Sequence, residues 1–199
     1  MAVIDDTVIT LPAWWRDDIK STDDAVSWAD RYFDNPDIRN ATEILSHDQI
    51  QQSCLSLTDP RTLYDLAMTI TVELSKAPNP AGPTYRYIYG INRQIKPLAK
   101  YLAAHTWKNP GGGCAAKAKT LQTAYDIAIL VLGDCRFTAQ RNKGISITRM
   151  AKEIDIPRQQ FYEQWYESVC EMREIIYGFV MQARNDVGAR LVGIGILEE

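Results

Sequence analysis

Two apolar helix stripes on either side of a short interruption constrain the fold of this chain more than any other feature. Ile147, Met150, Ala151 and Ile154 recur at i, i+3, i+4 and i+7, which is the spacing of one helix face. The segment Asp155-Ile156-Pro157 then interrupts the pattern. Proline suits the first turn of a following helix, where its missing N–H group has no intrahelical partner to lose. The interruption therefore predicts a turn between two helices.

The second apolar stripe follows directly after the proline. Its members lie at helical spacing and are Phe161, Trp165, Val169, Met172 and Ile176. The small side chain of Ala151 allows the second helix to cross the first at close range. We expect this second helix to continue to about Ala183. Two helices joined by a tight turn are typical of helix-turn-helix DNA-binding units, so we predict one at about 146–176.

Polar residues at the start of the second helix are the candidates for reading bases. If Phe161 points inward, a rotation of about 100° per residue places Gln159, Tyr162 and Glu163 on the opposite side. Arginine can pair with guanine and glutamine with adenine in the major groove. The candidate base-reading residues are Arg158, Gln159, Gln160, Tyr162 and Glu163, although Arg158 lies nearer the edge and can contact phosphate instead. An ordinary helical hairpin with a polar outer face is the alternative.

A row of carboxylates limits how much of the second helix can enter the groove. Glu163, Glu167, Glu171 and Glu174 follow one another at steps of three or four residues. Such a row would be repelled by DNA phosphates. We therefore expect only the first two turns, from about Arg158 to Glu163, to lie in the groove. The rest of the helix is assigned to the scaffold, to a dimer surface or to contact with a protein partner.

Charge is divided unevenly along the chain, although the formal net charge is only −3. Residues 1–75 contain five basic and fourteen acidic residues, whereas residues 84–158 contain thirteen basic and four acidic ones. An asymmetry of this kind indicates nucleic-acid contact in one part of a chain. The candidate phosphate-binding residues are Lys117, Lys119, Arg136, Arg141, Lys143, Arg149 and Lys152.

The remaining pattern predicts an all-α fold. Residues 1–20 are expected to be irregular, and 188–197 to form an apolar tail that docks as a strand or packs on a partner. The expected helices are 22–35, 42–57, 61–76, 85–107 with a kink at Pro97, and 115–136. Three prolines and a glycine at 77–83 mark a boundary. It divides an acidic helical region (1–77), assigned to partner contact, from a basic helical DNA-binding domain (84–199).

Several function classes receive no support. The four cysteines are widely separated and there are only two histidines, so the sequence contains no zinc-ligand motif of standard spacing. No catalytic motif is present, so we expect a protein that is not an enzyme and needs no cofactor or metal. The glycines at 111–113 lack phosphate-loop spacing and are interpreted as a hinge. The alternating tyrosines at 85–89 could stack single-stranded bases, but their spacing is more typical of a core.

No targeting or membrane segment is evident. The N-terminus lacks a basic signal-type region, and no apolar stretch approaches the ~20 residues that span a bilayer. We therefore expect a cytoplasmic protein without a membrane contact.

The C-terminal half resembles a group of bacteriophage late-gene transcription regulators, the Q-type antitermination proteins and late promoter activators. The resemblance rests on SITRMAKEIDIP (146–157) followed by QQFYEQWYESVCEMREIIYGFV (159–180). Some members of the group carry paired cysteines for a zinc-bound insertion, which this sequence lacks. The resemblance therefore implies a late promoter activator that binds double-stranded promoter DNA and contacts host bacterial RNA polymerase, with an accessory host factor as a further partner.

Other functions remain open at this point. An antiterminator would act on paused polymerase, and a repressor would need DNA binding without a polymerase contact. A terminase-like packaging adaptor would carry a helix-turn-helix within a ring. An inhibitor of a host factor would use the acidic surface and need no DNA. A homodimer is also allowed, and it would require two half-sites about one helical turn apart.

Overall fold

A computed structural model of the chain describes residues 2–4, 7–9, 11–12, 15–34, 60–90, 94–107, 114–141 and 144–198. In these ranges the chain is helical apart from one hairpin, so the predicted all-α class is confirmed. The hairpin pairs β1 (Ala2–Ile4) with β2 (Thr7–Ile9) in antiparallel register, Val3 opposite Val8. It lies within a segment that we predicted to be irregular. The predicted helix at 42–57 lies outside the described residues.

The described part contains nine helices. Three lie before residue 76: α1 (Trp15–Asp18), α2 (Thr22–Asp34) and α3 (Pro60–Ser75). Three follow in the middle of the chain: α4 (Ala81–Tyr89), α5 (Lys96–Thr106) and α6 (Cys114–Arg141). The last three are α7 (Ile147–Glu153), α8 (Arg158–Gln164) and α9 (Tyr166–Gly193). None of these nine is long and apolar enough to cross a membrane.

The chain divides into two compact units that differ from the predicted regions. Unit 1 comprises residues 1–92 and 182–199, and unit 2 comprises residues 93–181. The proline-rich segment at 77–83 is no linker, because Ala77 and Ala81 are buried and α4 begins there. Unit 1 carries nine basic and seventeen acidic residues, a net charge of −8, and unit 2 carries thirteen and eight, a net charge of +5. The two units therefore differ in net charge in the same sense as the two predicted regions do.

Unit 1 is built around buried aromatic and aliphatic side chains, including Trp15, Leu66 and Tyr85. Its C-terminal residues complete this core. The segment 188–197, predicted as a tail, continues α9 to Gly193, and its Leu191 and Ile196 are buried. Trp15 donates its indole N–H to the backbone oxygen of Ile196 at 2.9 Å. The apolar tail is thus part of the chain's own core and not a strand.

The single helix predicted at 85–107 is wrong, since α4 and α5 are separate helices. α4 ends before Gly90, where the Cβ of any other residue would clash with Asp30 Oδ2. Pro97 lies in the first turn of α5, where proline is well tolerated. Proline therefore begins a helix here and does not kink one. In unit 2, α5 packs along α6, which extends beyond the predicted end at Arg136.

Candidate nucleic-acid interface

Four residues, 154–157, connect α7 to α8 in a tightly defined turn. Asp155 adopts φ 53°, the left-handed conformation that glycine favours and that Asp and Asn tolerate best among other residues. The N–H of Ile156 donates to the Ala151 oxygen at 3.0 Å, and the N–H of Asp155 donates to the Lys152 oxygen at 3.2 Å. These two bonds form a Schellman motif, which ends α7 and redirects the chain.

The apolar stripes lie where the sequence predicted them. Met150, Ala151, Phe161 and Val169 are all buried, and Trp165 is 8% exposed. α7 and α8 are in contact with each other. Because Phe161 is buried, the polar residues of α8 are left on its outer faces.

A buried carboxylate of α6 holds the segment that leads into α7. Asp134 is 4% exposed and accepts a hydrogen bond from the backbone N–H of Ile145. It also forms an ion pair with Arg173 of α9, with Nη2 and Oδ2 2.7 Å apart. A Cβ at Gly144 would lie 2.9 Å from Asp134 Oδ1, so glycine permits this approach. Asp134 therefore links α6, the start of α7 and α9, a role that no local pattern predicts.

The N-terminus of α7 is also capped by a side chain. Ser146 is the N-cap, and its hydroxyl oxygen accepts the N–H of Arg149 at 3.3 Å. Serine is among the residues preferred at this position. The helix is thus fixed at both ends, by Ser146 at its start and by the Asp155 turn at its end.

All five candidate base-reading residues are exposed on α8, and the structure brings them together on one helix of seven residues. Gln159 Nε2 donates to Glu163 Oε1 at 2.9 Å, one helical turn later. The Arg158 guanidinium lies 5.7 Å from the ring centroid of Tyr162, within cation–π range. Gln160 Nε2 donates to Gln164 Oε1 at 3.3 Å. These pairs order the polar side chains of α8 along the helix.

The candidate phosphate-binding residues whose side chains the structure describes do not form a single patch. Lys119, Arg149 and Lys152 are exposed, whereas Lys117 and Arg136 are half-buried. Lys119 and Arg136 lie on the same helix seventeen residues apart, about 25 Å at 1.5 Å per residue. Arg149 also lies 3.7 Å from Glu153, measured from Nε to Oε1. Arg141 ends α6 but its side chain, and the whole of Lys143, lie outside the described residues.

A cleft of about 660 Å³ with a mixed polar and apolar lining lies on the flank of α8, and we call it the α6–α8 cleft. Its walls come from three places, all in unit 2. α6 contributes Lys119, Thr120 and Thr123, and the turn contributes residues 154–157. α8, the residue that follows it and the start of α9 contribute Gln160, Gln164, Trp165 and Ser168. Sequence reasoning missed this cleft, because it depends on residues far apart in the chain.

The predicted second helix is interrupted. We expected one helix from Pro157 to about Ala183, but α8 stops at Gln164 and α9 runs from Tyr166 to Gly193. Trp165 lies between them with φ −125° and ψ −16°. Glu167, Glu171 and Glu174 are exposed on α9. The helix break thus separates most of the carboxylate row from the polar face of α8.

The tyrosines of α4 are unsuited to stacking nucleic-acid bases. Tyr85 is fully buried in unit 1, where its hydroxyl donates to Asp23. Burial, together with the Asp23 carboxylate, raises the pKa of Tyr85 far above its usual value. Arg184 donates to both Asp23 and the Tyr89 hydroxyl, at 2.6 and 2.7 Å. This cluster is a packed polar network of the core.

Metal-ligating and redox groups are sparse in the described residues. They contain no group of three or more His, Cys, Asp or Glu side chains that could hold a metal ion. Burial, reinforced by the neighbouring Asp134 carboxylate, raises the pKa of the Cys135 thiol to about 11.

No protein-family model, curated protein or solved structure matches the chain.

Proposed function

We propose that this chain is a sequence-specific double-stranded DNA-binding protein that regulates transcription, with α7, the turn at 154–157 and α8 as its helix-turn-helix. The observation that carries the proposal is the exposed polar face of α8 directly after the Asp155 turn. In this motif the N-terminal residues of the second helix contact base edges while the first helix crosses the backbone. The order, turn length and burial pattern of α7 and α8 fit that arrangement.

The side chains of α8 match the chemistry of the major groove. Arg158 offers a guanidinium fork for guanine, and Gln159 offers an amide that can both donate to and accept from adenine. In the unbound chain the Gln159 amide bonds Glu163. When Gln159 binds a base, its amide can leave Glu163 or keep that bond through its second N–H. The Glu163 carboxylate can then accept from the amino group of cytosine. The pair therefore defines a preference over adjacent bases.

Net charge supports duplex contact by the same unit. Unit 2 contains α7 and α8 and carries a net charge of +5. Positive charge attracts the phosphate backbone and supplies most of the affinity that is independent of sequence. Unit 1, at −8, is repelled by DNA and suits a protein partner with a basic surface.

The more specific proposal is a bacteriophage late promoter activator that works with host RNA polymerase, and with an accessory host factor, in the bacterial cytoplasm. Its support is the resemblance of residues 146–180 to late-gene regulators, together with the division of charge between the units. Transcription in vitro with and without the protein separates an activator from a repressor. On a template with a promoter-proximal pause, release of the paused polymerase by the protein would indicate an antiterminator. Solution mass identifies a ring-forming packaging adaptor.

The decisive experiment is selection of bound fragments from random duplex DNA with the full chain and two variants. Gln159→Ala removes a proposed base contact, and we expect preference at one or two positions to relax by a factor that corresponds to roughly 1–3 kcal/mol. Gln122→Ala is the matched control. Gln122 makes the same kind of exposed bond, from its amide to the Asp126 carboxylate four residues later at 3.0 Å, but on α6.

The outcomes separate the competing interpretations. The control is expected to select the same sequences as the unmodified chain. If Gln159→Ala also keeps the full preference, α8 does not read bases through this face. If the unmodified chain shows no salt-sensitive duplex binding, the proposed function is wrong, and an inhibitor that binds a host protein becomes the better interpretation.

A further inference from the structure

We propose that the α6–α8 cleft binds one backbone phosphate of the duplex, with Lys119 as its cation and the amides of Gln160 and Gln164 as hydrogen-bond donors. This inference rests on the proposed function and adds to it a specific anchoring site. It assigns a role to Gln164, which the sequence pattern did not single out, and it moves Gln160 from the candidate base-reading residues to the backbone contacts. It also distinguishes Lys119 from the other basic residues of unit 2.

The hydrogen-bond groups that line the cleft favour an anion. Thr123 already donates its hydroxyl to the Lys119 backbone oxygen at 3.1 Å, and Ser168 donates to the Thr106 oxygen at 3.3 Å. An amide nitrogen has two N–H groups, so Gln160 retains one besides its bond to Gln164. The Lys119 ammonium adds up to three donors. Lys119 therefore offers an ammonium, and Gln160 and Gln164 offer amide N–H groups, to a ligand in the cleft.

The position of the cleft points to the DNA backbone as the source of the phosphate. Gln160 and Gln164 belong to α8 and lie one turn apart on the flank of its proposed base-reading face. A helix seated in the major groove has a sugar-phosphate strand on each side. Half or more of protein–DNA hydrogen bonds go to these strands and fix the register of the protein. A strand that passes along this flank of α8 meets Lys119.

Among the residues that the structure describes, Asp155 is the one acidic residue that lines the cleft, and it opposes an anion there. Its residue type is set by the left-handed backbone of the turn, which asparagine also tolerates. Asp155→Asn therefore removes the negative charge without straining the backbone of the turn. We expect this variant to bind duplex about fivefold more tightly, because a repulsive charge near the phosphate is lost.

The main test uses duplexes of a selected sequence in which a neutral methylphosphonate replaces one phosphate at a time. The unmodified chain is expected to lose affinity at one particular position on the flank of the site. Lys119→Gln is expected to bind all duplexes more weakly and to show no further loss at that position. Its log–log salt slope should be shallower by about one unit.

Lys117→Gln is the matched control. Lys117 carries the same charge on the same helix, but it lies two residues earlier and does not line the cleft. Residues two positions apart on a helix are rotated by about 200°, so their side chains point about 160° apart. This variant is expected to keep the full sensitivity to the methylphosphonate position that Lys119→Gln loses.

Several outcomes would overturn the inference while leaving the proposed function intact. One is duplex binding in which Lys119→Gln and Lys117→Gln respond alike at every position. Another is an Asp155→Asn variant that binds no more tightly than the unmodified chain. Absence of duplex binding would overturn the proposed function and the assignment to DNA together. Saturable, Lys119-dependent binding of inorganic phosphate without duplex binding would assign the cleft to a free phosphate compound instead.

Discussion

Asp155 determines how sharply the chain turns between α7 and α8. Its left-handed backbone allows the two Schellman hydrogen bonds, and these place Ile156 and Pro157 at the start of the next helix. An L-residue with a branched or plain Cβ is strained in this conformation, whereas Asp and Asn are relieved by local hydrogen bonds. The choice of Asp over glycine also limits the freedom of the unfolded chain. A single residue therefore sets the direction in which α8 leaves α7.

Substitution of Asp155 separates the backbone role of this residue from its charge. Asp155→Ala is expected to lower the free energy of unfolding by about 1 kcal/mol, because alanine has no polar group to offset the left-handed strain. Asp155→Asn is expected to leave the free energy of unfolding within about 0.5 kcal/mol of the original, as its side chain serves the same backbone. Urea unfolding of the full chain measures both. Equal losses from the two variants would show that the carboxylate charge, and not the conformation, matters for folding.

At the scale of elements, α7 depends on a contact made far away in the sequence. Asp134 of α6 holds the N–H of Ile145 just before α7 and binds Arg173 of α9. Removal of the charge would leave Arg173 with a weaker partner and weaken the bond to Ile145. The start of α7 is therefore coupled to the packing of two long helices.

Asp134→Asn is expected to destabilise the chain by about 1–3 kcal/mol, a range that allows for the partial exposure of Arg173, whose side chain is 36% accessible. The variant should also bind duplex DNA more weakly, since the start of α7 is less well held. Asp126→Asn is the control. Asp126 is half-buried, and its carboxylate accepts from Gln122 of the same helix. Thermal unfolding and duplex binding of both variants test the coupling, which would be refuted by equal behaviour.

The elements near the candidate interface could largely be predicted from the sequence, and their boundaries could not. Apolar periodicity located α7 and α8 and the buried side of each, because burial there follows local spacing. The break at Trp165 carries no glycine or proline, so no local signal marks it. At the end of α4, Gly90 lies against Asp30, sixty residues away in the chain, where a larger residue would clash. Long-range contacts of this kind leave no pattern in a single sequence.

At the scale of the whole molecule, the division of charge is the property with the most direct consequence. Unit 2 is positive and unit 1 is negative, so the chain as a whole is acidic while one part of it attracts phosphate. The overall isoelectric point therefore conceals the feature that matters. Attraction between unit 2 and a duplex is expected to be strong at low salt and to weaken steeply as salt is added.

The salt dependence of duplex binding can be given a lower limit from the described side chains. Lys119, Arg149 and Lys152 are exposed in unit 2, and each phosphate that is neutralised contributes about −0.9 to the log–log slope. Three contacts predict a slope of about −2.7 or steeper between 50 and 200 mM salt. The ion pair of Arg149 with Glu153 is exposed, so a phosphate can displace it at little cost.

A paired substitution on α9 tests whether this slope belongs to the face of α7 and α8. Glu171→Gln with Glu174→Gln removes two exposed carboxylates from α9, beyond the break at Trp165. Because counterion release counts the phosphates that are contacted, we expect this change to raise affinity slightly and leave the slope within about 0.5 of the original. Arg149→Gln with Lys152→Gln should instead make the slope shallower by nearly two units. A slope that changes equally in both double variants would mean that binding follows net charge alone and that α7 makes no phosphate contacts of its own.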